Sequence, residues 1–141
     1  IQRIRFDNRF HLDLDISSEY LDNKVLKLIL QPLVENALYH GLNYCTTGDT
    51  ITIRAYTENN CLMIDVHDNG QGMDIETLTK LQSSLMEEAS FTELGHRNKQ
   101  SIGLKNIHSR IELYYGKGYG LTVTSIHGEW TNIQIRLPIL K

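Results

Sequence analysis

A chain of 141 residues is the size of one domain, and about 68% of the unfolded surface at that length can be buried without help from metals or disulfides. Hydrophobic residues at 40% and charged residues at 22% exclude a disordered segment, and a formal net charge of −3 disfavours a broad nucleic-acid or anionic-membrane surface. Two cysteines, Cys45 and Cys61, cannot build a disulfide framework and lack metal-ligand spacing, so reduced thiols in a cytosolic setting are expected. No apolar run approaches the roughly 18 residues that span a bilayer, and no signal peptide opens the chain. Because the sequence starts at Ile1 rather than Met, a piece of a longer protein or a processed chain is expected.

In chain order, Phe10, Leu12, Leu14 and Ile16 alternate with His11, Asp13 and Asp15, the period of a half-buried strand. From about 25 to 42 the positions Leu26, Ile29, Leu30, Leu33, Val34, Ala37 and Leu38 recur at helical spacing. Pro32, inside that run, should either begin the regular helix or kink it. Strands follow at 50–57 and 61–67, joined by Asn59 and Asn60, which tolerate positive φ and predict a tight hairpin. A helix is predicted over 74–87, and residues 88–100, poor in apolar anchors, read as a mobile loop. Ser101 is the expected cap of a helix over 102–115 with Ile102, Leu104, Ile107, Ile111 and Tyr114 as its apolar stripe, ended by Gly116. A second hairpin, 121–126 and 131–137, closes the chain. This order of elements predicts an α+β fold, a two-layer α/β sandwich with a mixed, mostly antiparallel sheet and helices on one face.

Four separated pieces carry the chemistry. Asn36 and His40 lie four apart and share one helical face, with Glu35 beside Asn36, although a solvated helix surface has the same pattern. Asp68-Asn69-Gly70-Gln71-Gly72 breaks all periodicity at the end of a strand; its glycines allow a tight turn or the close approach of a ligand. Ser101-Ile102-Gly103-Leu104-Lys105-Asn106 opens a helix, where free amides and the dipole attract phosphate. Last comes Thr131, entering the final strand behind Gly128-Glu129-Trp130.

In this order the pieces resemble the N box, the two glycine boxes and the terminal Thr of the GHKL ATP-binding superfamily, with its Bergerat fold. Leu30-Gln31-Pro32-Leu33-Val34-Glu35-Asn36-Ala37-Leu38-Tyr39-His40-Gly41 is similar to the LytS/YesM-like group of sensor histidine kinases. So is Ile102-Gly103-Leu104-Lys105-Asn106-Ile107-His108-Ser109-Arg110-Ile111 with Tyr115-Gly116 behind it, and the likeness runs from about Arg3 to Pro138.

The resemblance implies roles residue by residue. Asp68 would accept a hydrogen bond from the adenine amino group and reject guanine, whose carbonyl would face it unpaired. Thr131 would support Asp68 and a water, while Gly70 and Gly72 let the loop pass over the nucleotide. Asn36 would offer its carbonyl oxygen to Mg²⁺, whose other ligands come from phosphates and water. His40 would lie near the phosphates, and Gly103 and Leu104 would present backbone amides to them. Residues 88–100 would be the ATP lid, in which His96-Arg97-Asn98-Lys99 is the densest basic run, with Lys99 reaching the triphosphate. Arg110 would form a structural ion pair. Pro32 stands where gyrase-like ATPases place a water-activating Glu, so autonomous hydrolysis is disfavoured; Glu35 remains as a candidate base or supporting group. Gly103 is the one clear glycine of its box, where many such kinases have two.

On this likeness, residues 1–9 would be a connector from a dimerisation domain and 10–141 the catalytic ATP-binding domain of a two-component sensor histidine kinase. None of His11, His40, His67, His96, His108 or His127 has the surroundings of a phosphoacceptor, so that histidine should lie outside this chain. ATP and Mg²⁺ are the implied cofactors. The implied partners are the dimerisation domain and a response regulator, with no nucleic acid. The fragment is expected to be monomeric and the parent a homodimeric membrane sensor holding this domain in the cytoplasm. The alternatives are an anti-sigma-factor-like serine kinase of the same superfamily and a degenerate nucleotide-binding or interaction module.

Overall fold

A computed structural model describes residues 2–6, 10–16, 24–37, 49–86 and 99–139. Strands β1 (Gln2–Phe6), β2 (Phe10–Asp15), β3 (Asp49–Glu58), β4 (Cys61–Asp68), β5 (Gly120–Ile126) and β6 (Trp130–Pro138) form one sheet in the order β1-β2-β3-β4-β6-β5. Only β2 and β3 run parallel. A parallel pair needs a crossover, and helix α1 (Lys24–Asn36) lies in the chain between them. Helices α2 (Ile75–Met86) and α3 (Lys99–Tyr115) fill the interval between β4 and β5. No helix among the described residues is long and apolar enough to cross a membrane.

Alternation sorts the strands into two faces. Ile51 and Ile53 on β3, Leu62, Ile64 and Val66 on β4, Ile133, Ile135 and Leu137 on β6, and Leu121 and Val123 on β5 are buried in one cluster. Leu33 of α1, Ala37 just beyond its end, Met73 ahead of α2, Leu81 and Leu85 within α2, and Leu104, Ile107 and Ile111 of α3 complete it. The helices therefore cover one face of a mixed, mostly antiparallel sheet, as the pattern predicts. The opposite face is tied by polar side chains: Gln134 donates to the Tyr56 hydroxyl at 3.0 Å and to Asp65 at 3.1 Å, and Arg136 donates to the Cys61 thiol at 3.4 Å. Cys61 is a free, buried thiol; Cys45 lies outside the described residues.

Asn59 and Asn60, at φ 51° and 61°, make the predicted two-residue turn, whose twist suits the β3–β4 ladder. Gly116 stops α3 with φ 106°, its amide bonded to the Glu112 carbonyl at 2.8 Å.

Gln2–Phe6, within the expected 1–9 connector, pairs along β2 as an edge strand. Of the two expectations for Pro32, a helix start is excluded, since eight helical residues precede it. Two sequence readings need correction. Helix α3 begins at Lys99, so Ser101 falls inside its first turn and Lys99 and Gln100 are helical rather than loop. Tyr114 is 78% exposed; the stripe of Leu104, Ile107 and Ile111 continues in Tyr115, which packs against the core.

Candidate functional site

The site grows from a break in the buried stripe of two neighbouring strands. Core-facing positions of β4 read Leu62, Ile64, Val66, Asp68, and those of β6 read Leu137, Ile135, Ile133, Thr131. Asp68 and Thr131 are register partners, so both stripes turn polar at the same end of the sheet, under the helical layer. Asp68 is 3% exposed and Thr131 5%. A carboxylate that deep must be hydrogen-bonded. Asp68 Oδ1 accepts the Gly70 amide at 3.0 Å, which is what the Asp-Asn-Gly sequence supplies: a turn that folds its amide back onto the acid.

Sequence reasoning missed Ser125, the third member of this row, opposite Thr131 on β5. Its hydroxyl donates to the Trp130 carbonyl at 2.7 Å and accepts the Met73 amide at 2.8 Å. With its one proton so used, the 3.0 Å contact to Thr131 has Thr131 as donor, leaving the Thr131 oxygen as an acceptor. A signal was available, because Ser125 continues the core-facing series Leu121, Val123 and is its only polar member.

The loop from Asn69 to Asp74 is held on both sides. Asn69 Oδ1 accepts the Thr50 amide at 2.7 Å, and the Gly128 amide donates to the Gln71 carbonyl at 2.6 Å. Gly72 has φ 67°, and a Cβ there would be driven into the Ile126 carbonyl. Its lack of a side chain thus serves close approach to the β5–β6 turn. Asp74 then caps α2 through the Thr77 amide at 2.7 Å, and that bond holds its carboxyl below the usual range.

Asn36 is the half-buried last residue of α1, one residue before Ala37 in the core. Glu35 is exposed, accepts from Gln31 at 3.3 Å, and lies about half a turn from Leu33. Pro32 lines an apolar groove of about 290 Å³ with Leu28, Ile29, Ile107 and Tyr114, so its position offers no acid–base group. Arg110 edges the same groove and is exposed, and no ion pair to it is seen among the described residues.

Gly103 is the fifth residue of α3 and exposed, with nothing within 4 Å of where a Cβ would stand. Since only the first turn of a helix leaves its amides unbonded, the amides of Gly103 and Leu104 lie within the bonded register. Leu104 is fully buried. Lys99 opens the helix, and His40 and 88–98, with His96, Arg97 and Asn98, lie outside the described residues. The described structure therefore brings Asp68, Thr131, Gly70 and Gly72 together and sets Asn36 and Gly103 on helices α1 and α3, which pack on each other. Among the described residues there is no group of three His, Cys, Asp or Glu that could hold a metal.

Residues 21–141 match the family described as histidine kinase-, DNA gyrase B-, and HSP90-like ATPase. The chain is 38% identical over 138 residues to the sensor histidine kinase YesM of Bacillus subtilis, covering 98% of this chain and 21% of that protein. It is 32% identical over 139 residues to the sensor protein kinase HptS of Staphylococcus aureus, covering 99% of this chain and 25% of that one. Its fold is similar, with a TM-score of 0.53 and 16% identity, to the histidine kinase domain of a blue-light activated histidine kinase from Erythrobacter litoralis, over 90% of this chain and 51% of that one. The chain thus spans about a quarter or less of the curated relatives it matches, and the match over 21–141 establishes that it belongs to the histidine kinase-, DNA gyrase B- and HSP90-like ATPase family.

Proposed function

We propose that this chain is the catalytic ATP-binding domain of a two-component sensor histidine kinase. The observation that carries the reading is the buried Asp68–Thr131 pair at the end of an otherwise apolar core face. A carboxylate at that place offers acceptor oxygens to the exocyclic amino group of adenine, with the Gly70 amide fixing its orientation. Guanine would set a carbonyl against it and leave two acceptors facing each other. Thr131, donating to Ser125, turns its lone pairs to the same base edge.

The residues present fit a nucleotide with its metal. Asn36 would contribute one neutral oxygen to a Mg²⁺ otherwise held by the phosphates, and the open space at Gly103 would let the phosphates approach α3. His40 and Lys99 belong to the phosphate end of this reading, and Glu35 is its candidate base or supporting group. Bound ATP supplies the γ-phosphoryl group. What the domain contributes is position and charge neutralisation, which phosphoryl transfer requires more than covalent chemistry. The acceptor would be a histidine on a dimerisation domain outside this chain, joined through the 1–9 segment, and a response regulator would take the group onward. The parent would be a dimeric membrane-anchored sensor with this domain in the cytoplasm.

Incubation with radiolabelled ATP, Mg²⁺ and the parent's separately supplied dimerisation domain tests this. Label should appear on a histidine of that domain and nowhere on the chain alone. Label on serine, or ADP release without acceptor, contradicts the proposal.

A further inference from the structure

We propose that His108 is a positioning residue that fixes α3 against β5 only as a neutral imidazole, so that mild acid loosens the helix and weakens nucleotide binding. The nucleotide part rests on the function proposed above; the latch itself does not.

The geometry assigns both ring nitrogens. Nδ1 accepts the Leu121 amide at 2.9 Å, so it carries no proton. Nε2 therefore bears the hydrogen and donates to Glu112 Oε1 at 3.2 Å. The side chain is only 13% exposed. A Cβ on Gly120 would run into the ring, so the imidazole lies directly on the Gly120 backbone, at a φ of 144° that favours glycine. At this point helix and edge strand meet through one side chain and one bare stretch of backbone, beside the core contacts of Leu104, Ile107 and Ile111 with Leu121 and Val123. Protonated Nδ1 would turn a donor toward the Leu121 amide, itself a donor, inside a largely buried contact.

Among the described residues, the groups around the ring are few. From α3 itself come Glu112, which favours the proton, and buried Lys105, which opposes it. From β6 comes the Arg136 guanidinium and from the approach to β5 the Tyr119 phenol; α2 contributes Gln82, Leu85 and Met86, none titratable. Burial dominates and holds the imidazole below its usual proton affinity. The unfolded chain then binds the proton first as pH falls. The latch is complete above about pH 6.5, the ordinary histidine value, and its contribution is lost as pH drops below that. Leu104, fully buried, stands one turn before His108, and Gly103 precedes it, so the register of α3 on β5 sets where the nucleotide end of the helix lies.

Wild type, His108→Asn and His108→Leu, compared at pH 7.5 and 5.5, test the latch. Asn places an acceptor near the Nδ1 position without titrating; Leu removes it. Imidazole nitrogen shifts should show the Nε2–H tautomer at pH 7.5. The Leu121 amide should be protected from exchange at pH 7.5, after correction for intrinsic rates, and lose that protection at pH 5.5. Wild-type ATP affinity should fall at least fivefold more than that of His108→Asn over the same interval, a comparison that cancels protonation of ATP. His108→Leu should bind weakly at both values. An Nδ1–H tautomer, equal Leu121 protection at both values, or equal pH dependence in wild type and His108→Asn would overturn the proposal. If ATP binds at no pH, the nucleotide reading fails, while the tautomer and Leu121 exchange still decide the latch. The same two wild-type readings decide it if the variants do not fold.

Discussion

Substituting Gly103 by Ala separates stability from binding. Gly103 lies inside α3, is exposed, lacks a positive φ, and has empty space where a methyl would go. Glycine in a helix interior costs about 0.5–1 kcal/mol relative to alanine, so Gly103→Ala should stabilise the domain by that amount. At an unfolding entropy of about 2.1 cal/mol/K per residue, 141 residues give about 0.3 kcal/mol/K, and the melting temperature should rise by roughly 2–3 °C. If phosphates approach α3 here, the same methyl occupies their path. Overpacking of about 1–3 kcal/mol then weakens ATP by roughly 5- to 150-fold. Thermal unfolding and calorimetric ATP titration of one preparation give both numbers. A variant that is stabilised yet binds ATP unchanged would show that Gly103 does not face the nucleotide. A destabilised one would refute the helical start at Lys99.

Gly72→Ala should behave in the opposite way. The left-handed φ costs about 1–2 kcal/mol for any side chain, and the collision with the Ile126 carbonyl adds to it, so urea unfolding should show a loss of at least about 2 kcal/mol. A loss near zero would mean that the loop moves freely against the β5–β6 turn. Ser125→Ala removes the acceptor of the buried Met73 amide and the partner of Thr131, at a cost of about 1–3 kcal/mol; unchanged stability in denaturant titration would contradict the hydrogen-bonded row across β4, β6 and β5.

How much of this was legible in the sequence follows from how local each signal is. Period-2 alternation placed Ile51, Ile64 and Ile133 on the core face, and it also placed Asp68 and Thr131 there, since a strand leaves little choice of side. Ser125 obeyed the same rule but was passed over, because a serine in a strand attracts notice only once its neighbours across the sheet are known. The paired asparagines at 59 and 60 carried their turn in their own backbone preferences. Helix ends were less legible. Ser101 is a good cap in isolation, yet Lys99 and Gln100 are good helix formers and extend α3 past it. Whether Tyr114 or Tyr115 joined the core depended on the angle at which α3 meets the sheet, and a spacing of four from Ile111 favoured Tyr115. The reason for Gly72 was not legible, since its neighbour Ile126 lies 54 positions away along the chain.

The most direct measurement is calorimetric titration of ATP and GTP, each with Mg²⁺, into wild type and Asp68→Asn. The introduced side-chain amide keeps an oxygen that can still accept from Gly70, so apo stability should barely change. Losing a charge-assisted bond to the base should cost about 1.5–3 kcal/mol, or about 10- to 150-fold in ATP affinity. The account predicts that wild type binds ATP and rejects GTP, and that Asp68→Asn loses that preference. Equal ATP affinity in the two proteins, or GTP bound as well as ATP by wild type, would contradict it.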